Sequence, residues 1–352
     1  MAVDLGKLVA EAKETIELGD ISGKTLAIDA YNTIYQFLSI IRQPDGSPLV
    51  DSKGRVTSHL SGIIYRTASL LEYGITPIYV FDGMPPLLKR RTLEARANRR
   101  AQATEEWRRA KEMGQMEEAR RHAMASTRIN AEIIASSKEL LGYLGIPFLQ
   151  APGEGEAQAA AMAKEGLVYA SASQDYDSFL FGAGIVIRNL TISGRRKLPM
   201  KNVYVEVKPE RIELDRLLGR LGIGQRQLIM LGILVGTDFN MGIDRVGPKT
   251  ALKIVREHDT PEKMERYVTE KYGMNFDPGI NEVLDVFENP DVEHITEDKF
   301  SKLVRAKNVD VDGVMKFMCD EHGFSEDRIA KAVEKFGVFG NSKKQQGINR
   351  WM

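Results

Sequence analysis

The sequence predicts an α/β fold, a mostly parallel central sheet flanked by helices, and three observations carry that expectation. Short apolar runs end abruptly in acidic residues: Thr25-Leu26-Ala27-Ile28-Asp29, then Ile75-Thr76-Pro77-Ile78-Tyr79-Val80-Phe81-Asp82, then Leu167-Val168-Tyr169-Ala170-Ser171-Ala172 leading to Asp175. Continuous apolar runs of this length suit strands covered on both faces. Between them apolar residues recur at helical spacing, first Leu60, Ile63, Ile64, Thr67, Leu70 and Leu71, then Ile129, Ile133, Leu140, Leu141 and Leu144. Strand and helix therefore alternate, the order of an α/β sheet with helices on both faces. Ligands of such sheets bind beyond the carboxyl ends of the strands, where the three aspartates fall.

Two further strands are expected at Gly184 to Leu190 and Asn202 to Val207, separated by a basic turn, Ser193-Gly194-Arg195-Arg196-Lys197. Beyond them the pattern is helical, broken by Gly236, Gly242, Gly247, Pro261, Pro278 and Pro290, and Gly340-Asn341-Ser342-Lys343-Lys344 reads as a polar linker. With 352 residues, 43% of them hydrophobic and 28% charged, the chain can bury a large core in one domain or two intimate ones. Its 49 basic and 49 acidic side chains give a formal net charge of +0, so any affinity for nucleic acid must come from local segregation of charge. The single cysteine, Cys319, excludes an internal disulfide and a cysteine-built zinc site. The first residues lack an apolar export segment, and the longest apolar stretch, Leu228 to Val235, cannot span a bilayer. An intracellular protein without membrane association is expected.

Seven carboxylates stand at element ends beside small neighbours: Asp29, Asp82, Glu154, Glu156, Asp175, Asp177 and Asp238. Taken singly, each has an ordinary structural role, a Glu complementing a helix N-terminus or an Asp capping a turn. Together, with no His or Cys cluster and no adjacent cation, they form an oxygen-only donor set that selects Mg²⁺ or Mn²⁺ over zinc. Two such ions ~4 Å apart suit in-line phosphodiester displacement, one activating water and the other stabilising the leaving oxygen. Clustered carboxylates repel, so without metal their pKa values should be raised.

The motifs Ile28-Asp29-Ala30-Tyr31, Val80-Phe81-Asp82-Gly83-Met84-Pro85-Pro86, Ala151-Pro152-Gly153-Glu154-Gly155-Glu156-Ala157, Gln174-Asp175-Tyr176-Asp177 and Gly236-Thr237-Asp238 resemble, in order and over most of the chain, those of the flap endonuclease family. The resemblance implies the 5′-nuclease, PIN-like fold and a structure-specific 5′ flap endonuclease with 5′-3′ exonuclease activity, serving Okazaki fragment maturation and DNA repair. It assigns Asp82, Glu154 and Glu156 to one Mg²⁺ and Asp175, Asp177 and Asp238 to a second, with Asp29 acting through metal-bound water and Mn²⁺ as a substitute. It also divides the chain into a nuclease core over 1–336 and a tail over 337–352. Within the core lie an N-terminal nuclease region 1–83, an arch 84–128, an internal region 129–258 with a helix-two-turn-helix at 225–258, and a helical region 259–336.

From Lys89 to Arg128 the chain is helical and rich in arginine, a pattern equally suited to a solvated helical pair or to phosphate binding. Placed directly after the Asp82 motif, it resembles the family's helical arch, under which a single-stranded 5′ end passes. Lys89 and Arg96, seven residues apart, can face the site together and match the family's phosphate-gripping pair, with Gly114 marking a bend. On the helix after Asp29 lie Tyr35 and Arg42; the resemblance makes Tyr35 a stacking platform for an unpaired base.

Gly242-Ile243-Asp244-Arg245-Val246-Gly247-Pro248-Lys249-Thr250 places a glycine turn and a helix-starting proline together. It resembles the helix-two-turn-helix that grips duplex backbone, with Arg245, Gly247, Lys249 and Thr250 as contacts and a K⁺ ion held by carbonyls; many family members have Gly where this chain has Arg245. In the tail, Gln345, Ile348, Trp351 and Met352 resemble a sliding-clamp-binding peptide, with Met352 in place of the usual second aromatic. A short tail and the family's habits point to a monomer working on branched DNA in the cytoplasm or nucleoid of an archaeon. The alternatives are a sister 5′-exonuclease or four-way-junction resolvase of the same fold, or a non-catalytic DNA-junction binder.

Overall fold

A computed structural model describes residues 3–43, 45–192, 194–197, 204–305 and 308–336. Its main sheet has seven strands in the order β1-β9-β6-β5-β2-β3-β4, where β1 is Glu14–Thr15, β2 Thr25–Asp29, β3 Thr76–Phe81, β4 Phe148–Gln150, β5 Ala170–Ala172, β6 Ile185–Arg188 and β9 Glu210–Glu213. The pairings β6-β5, β5-β2, β2-β3 and β3-β4 are parallel, whereas β9 runs antiparallel to both β6 and β1. The expected mostly parallel sheet is therefore present, with an antiparallel edge that the apolar runs did not announce.

Alternation along the central strands explains why both faces are covered. In β2, Leu26 and Ile28 join one core cluster while Ala27 joins another; in β3, Tyr79 and Phe81 face the first and Ile78 and Val80 the second. Successive side chains of a strand point to opposite faces, so each run must be apolar at every position. The first face is closed by the helices Ala30–Ile40, Ser58–Glu72 and Ala131–Tyr143, through Ile34, Ile63 and Leu140. The second is closed by Gly155–Lys164, through Ala159 and Met162.

One expectation needs correction. Gly194–Lys197 is itself a strand, β7, not the turn before one, and it pairs antiparallel with β8, Tyr204–Val207, in a separate two-stranded sheet. The strands β1, β4 and β9 escaped notice since each is only two to four residues long and partly exposed.

The segment after β3 forms helices Arg90–Glu112 and Met116–Ala125, turned by Gly114 in the left-handed region at φ 71°. Ala103 and Ala110 face Ala119 and Ala123 as the buried residues of these two helices, so small side chains let a charged hairpin pack without a broad apolar stripe. Farther on, Gln225–Val235 and Pro248–Glu257 form the helix pair of the glycine turn, Gly247 being the residue before Pro248. Arg245 takes φ 63° in that turn, a left-handed conformation that favours glycine. That is the physical reason a glycine would suit this position.

Candidate active site

The parallel register Leu26↔Ala170, Ile28↔Ala172 and Asp29↔Val80 brings the carboxyl ends of β5, β2 and β3 side by side. Asp29 closes β2 and caps the helix Ala30–Ile40, accepting the Asn32 backbone N–H at 2.9 Å. Asp82 follows β3 and accepts the Gly155 N–H at 2.7 Å, joining the second strand end to the helix that carries Glu154 and Glu156. Glu156 Oε1 accepts from Ser178 N–H at 2.9 Å and Ser178 Oγ at 2.6 Å, while Asp177 Oδ1 accepts the Val3 N–H at 2.8 Å. Asp238 enters from the end of Gln225–Val235, beyond Gly236.

Two cations of the arch reach into this cluster. Lys89 Nζ bonds Glu154 Oε1 and lies 3.3 Å from Asp238 Oδ2, and Arg96 donates to Asp238 Oδ1. Lys89 is 14% exposed, against 11% for Glu154 and 8% for Asp238, so this pairing is largely withdrawn from water. The two residues singled out by the family resemblance thus meet Glu154 and Asp238 directly.

Burial, reinforced by Asp82 and Asp175, raises Asp29 well above the ordinary carboxylate range. Burial, then Asp175, Asp177 and Asp29, does the same for Glu156, and burial is the leading cause of the upward shifts of Asp82, Glu154 and Asp175. Asp177 is pushed up to about 7 by burial together with Asp238 and Asp175, despite the Val3 N–H. Asp238 alone moves down: burial opposes its charge, but Lys89 and Arg96 outweigh it. Burial likewise works against the Lys89 ammonium, and Glu154 and Asp238 overcome it.

All seven sequence-predicted carboxylates therefore interact in one place. No group of three or more His, Cys, Asp or Glu among the described residues is arranged as a ready-made metal cage, because the oxygens turn to Lys89, Arg96 and nearby N–H groups. The donor set nonetheless suits hard divalent cations: it is all oxygen, and its raised pKa values reflect burial first and mutual repulsion second, both of which a bound cation would offset.

The other predicted contacts lie outside this cluster's hydrogen bonds. Tyr35 is 40% exposed. Arg42 donates Nη1 to Gly46 O at 2.7 Å and Nη2 to Thr127 Oγ1 at 2.6 Å, tying the loop after the helix Ala30–Ile40 to the segment after Met116–Ala125. Arg245, Gly247, Lys249 and Thr250 are exposed on the glycine turn and the helix start after it. Gln345, Ile348, Trp351 and Met352 lie outside the described residues. Sequence reading missed Asn32 and Ser178, polar neighbours that hold carboxylates; Asn32, three residues after Asp29, was the more visible signal.

Gly155 shows how closely these elements approach. A Cβ there would stand 2.8 Å from Asp82 Oδ1 and 2.9 Å from Val80 O. Gly155→Ala is expected to cost about 1–3 kcal/mol in chemical denaturation and to displace Asp82. Unchanged stability would show that the helix can retreat.

Comparison with known proteins places this arrangement. The XPG N-terminal domain model matches residues 1–103 and the XPG I-region model residues 145–238. Flap endonuclease 1 of Pyrococcus furiosus is 50% identical over 352 residues, covering 100% of this chain and 99% of that protein. That of Methanosarcina barkeri is 49% identical over 351 residues, covering 100% of both. The solved flap endonuclease-1 from Methanococcus jannaschii superposes with a TM-score of 0.71 at 37% identity, over 94% of this chain and 97% of that one. The catalytic core of Rad2 in complex with DNA substrate shares the fold, with a TM-score of 0.71 at 23% identity over 96% of this chain and 100% of that one. The chain belongs to the flap endonuclease 1 family of XPG-type nucleases.

Proposed function

We propose that this enzyme hydrolyses a phosphodiester near the single-strand/duplex junction of 5′-flap DNA and also removes nucleotides in the 5′-3′ direction. The observation that carries this reading is the insertion of Lys89 and Arg96, from the root of the arch, into the carboxylate cluster. A 5′ single strand led through the arch would bring its phosphate to these two cations. Lys89 offers a point charge and Arg96 a planar fork, so together they orient the phosphate and neutralise charge developing on it.

Two Mg²⁺ ions, or Mn²⁺ in their place, would be held by Asp82, Glu154 and Glu156 on one side and Asp175, Asp177 and Asp238 on the other, with Asp29 in the outer shell. When bound, they supply Lewis acidity at the phosphate and lower the pKa of coordinated water. Lys89 and Arg96 exchange their carboxylate partners for phosphate as substrate enters. Tyr35, open to solvent, offers a ring face to an unpaired base, and Arg42 steadies the loop beside it.

Arg245, Lys249, Thr250 and the Gly247 backbone would meet the duplex backbone without reading sequence, and carbonyls of the same turn would hold K⁺. The Arg245 side chain is 92% exposed, and its Nε lies 3.8 Å from Asp244 Oδ2. Arg245→Gly should therefore have effects of opposite sign. Relief of the positive φ leaves stability unchanged or raises it by up to about 1 kcal/mol. Loss of the charge weakens duplex binding and reduces its log-log salt slope by about 1. A binding isotherm identical to that of the native protein at every salt concentration would remove Arg245 from the interface.

The tail residues Gln345, Ile348, Trp351 and Met352 would engage a sliding clamp, and the protein would act as a monomer on archaeal chromosomal DNA during Okazaki fragment maturation and repair. No helix among the described residues is long and apolar enough to cross a membrane. The deciding experiment compares cleavage of a 5′ flap, a nicked duplex and a four-way junction in Mg²⁺, with Asp175→Ala as control. Dominant junction cutting would transfer the chain to the resolvase reading, and full activity in the control would overturn the metal assignment.

A further inference from the structure

Asn32 bonds two carboxylates that are far apart in sequence. Its backbone N–H donates to Asp29 Oδ1 at 2.9 Å, and its side-chain Nδ2 donates to Asp175 Oδ2 at 2.9 Å. Asp29 ends β2 and Asp175 follows β5, and these strands are neighbours in the sheet. One residue thus spans the seam between two groups that repel each other.

A primary amide offers a donor on one side and an acceptor on the other, so its usefulness to a carboxylate depends on which way it faces. A second amide decides that here. Gln36, one helical turn on, donates Nε2 to Asn32 Oδ1, and its own Oε1 accepts from Thr191 Oγ1 at 3.3 Å. Thr191 is 4% exposed and lies just past β6. The order of donors along Thr191, Gln36 and Asn32 leaves Asn32 only its Nδ2 to present to Asp175.

We propose that Asn32, oriented by Gln36 and Thr191, is a positioning residue that sets Asp175 for divalent-cation binding. This rests on the reading that Asp175 is a metal ligand. A carboxylate has about four lone-pair sites, and Asn32 occupies one on Oδ2 while the others remain available to a cation. Being neutral, the amide steadies the anion without competing for the cation's place, as Lys89 or Arg96 would. Outer partners of this kind are commonly worth 10–100-fold in metal affinity.

The test is Mn²⁺ binding to the full chain without DNA, followed by electron paramagnetic resonance, alongside Mg²⁺ titration of flap cleavage. Asn32→Leu keeps the helix and the backbone N–H to Asp29 but removes the donor to Asp175. It should weaken Mn²⁺ binding by about tenfold or more and raise the half-saturating Mg²⁺ concentration, with much of kcat regained at high Mg²⁺. Melting in EDTA verifies that the variant is folded.

Gln36→Glu separates an oriented relay from simple charge. The new carboxylate cannot donate to Asn32 Oδ1, so Asn32 turns its Nδ2 toward it and presents oxygen to Asp175, and Mn²⁺ binding weakens. An added negative charge acting only through the field would tighten it. A native-like isotherm for Asn32→Leu overturns the proposal, and unchanged or tighter binding for Gln36→Glu removes Gln36 from it. Asp175→Ala keeps the underlying reading separate: if that variant binds Mn²⁺ like the native protein, Asp175 is no ligand, whatever Asn32 does.

Discussion

Lys89→Ala is expected to lower the rate of flap cleavage at saturating DNA by about 10²–10³-fold, the usual effect of removing one preorganised charge donor from a phosphate transition state. Lys89 sits against both Glu154 and Asp238, and neither has bulk water to fall back on. The same substitution should have a second signature that identifies the environment. In EDTA, loss of the ammonium leaves Glu154 and Asp238 without a main counter-charge, and breaking a buried pair in this way costs about 3 kcal/mol. In Mg²⁺, cations among the carboxylates substitute for the lost charge, and the stability difference shrinks. Paired melting curves with and without Mg²⁺ measure it; equal destabilisation in both would mean that Lys89 does not share its place with metal. Lys89→Arg is not a neutral control, because a planar fork cannot replace a point charge in the same space.

Raising the pH from 5 to 8 in EDTA should lower the melting temperature, on the order of 5–10 °C, and Mg²⁺ should reverse most of the loss at pH 8. The sign follows from Asp177. Its ordinary value is 3.8, and burial with the neighbouring Asp238 and Asp175 brings it to about 7 in the folded protein. Below pH 3.8 the group is protonated folded or unfolded, and no penalty arises. Between 3.8 and about 7 the unfolded chain ionises while the folded one resists, so stability falls as pH rises and the loss is complete above about 7. A gap of about three pH units corresponds to about 4 kcal/mol. Asp29 and Glu156, also raised, add to this slope, and Asp238, held low by Lys89 and Arg96 against its burial, contributes the opposite slope only toward acid pH. Asp177→Asn should flatten the profile. A melting temperature that rises steadily toward pH 8 in EDTA would contradict the clustering of these groups.

Much of the site was legible in the sequence because its carboxylates stand at places marked by local chemistry. Thr25–Asp29 was read with its observed bounds, since a strand buried on both faces must be apolar throughout and Asp29 ends that run abruptly. Lys89 and Arg96 were singled out by their resemblance to the family's phosphate-gripping pair, and a spacing of seven residues on a helix allows both to face the same way. Beyond those features, local pattern loses its hold. β1 and β9 pair through backbone groups with charged side chains such as the exposed Glu14 and the half-buried Arg211, which look like loop residues along the chain. The basic run Gly194–Lys197 was taken for a turn because three successive cations after a glycine read as a loop along the chain.

The sequence by itself determined the α/β class, the carboxylate inventory and the arch that brings two cations toward it. Only the tertiary structure decided that those cations pair with Glu154 and Asp238, that burial lifts six of the seven carboxylates while Asp238 stays low, and that Asn32 joins Asp29 to Asp175. Strand and helix signals arise from residues a few positions apart and are written into local pattern. Charge pairing, desolvation and amide orientation depend also on distances between residues far apart along the chain, 65 positions for Lys89 and Glu154 and 143 for Asn32 and Asp175, and those distances exist only after the sheet has set its order.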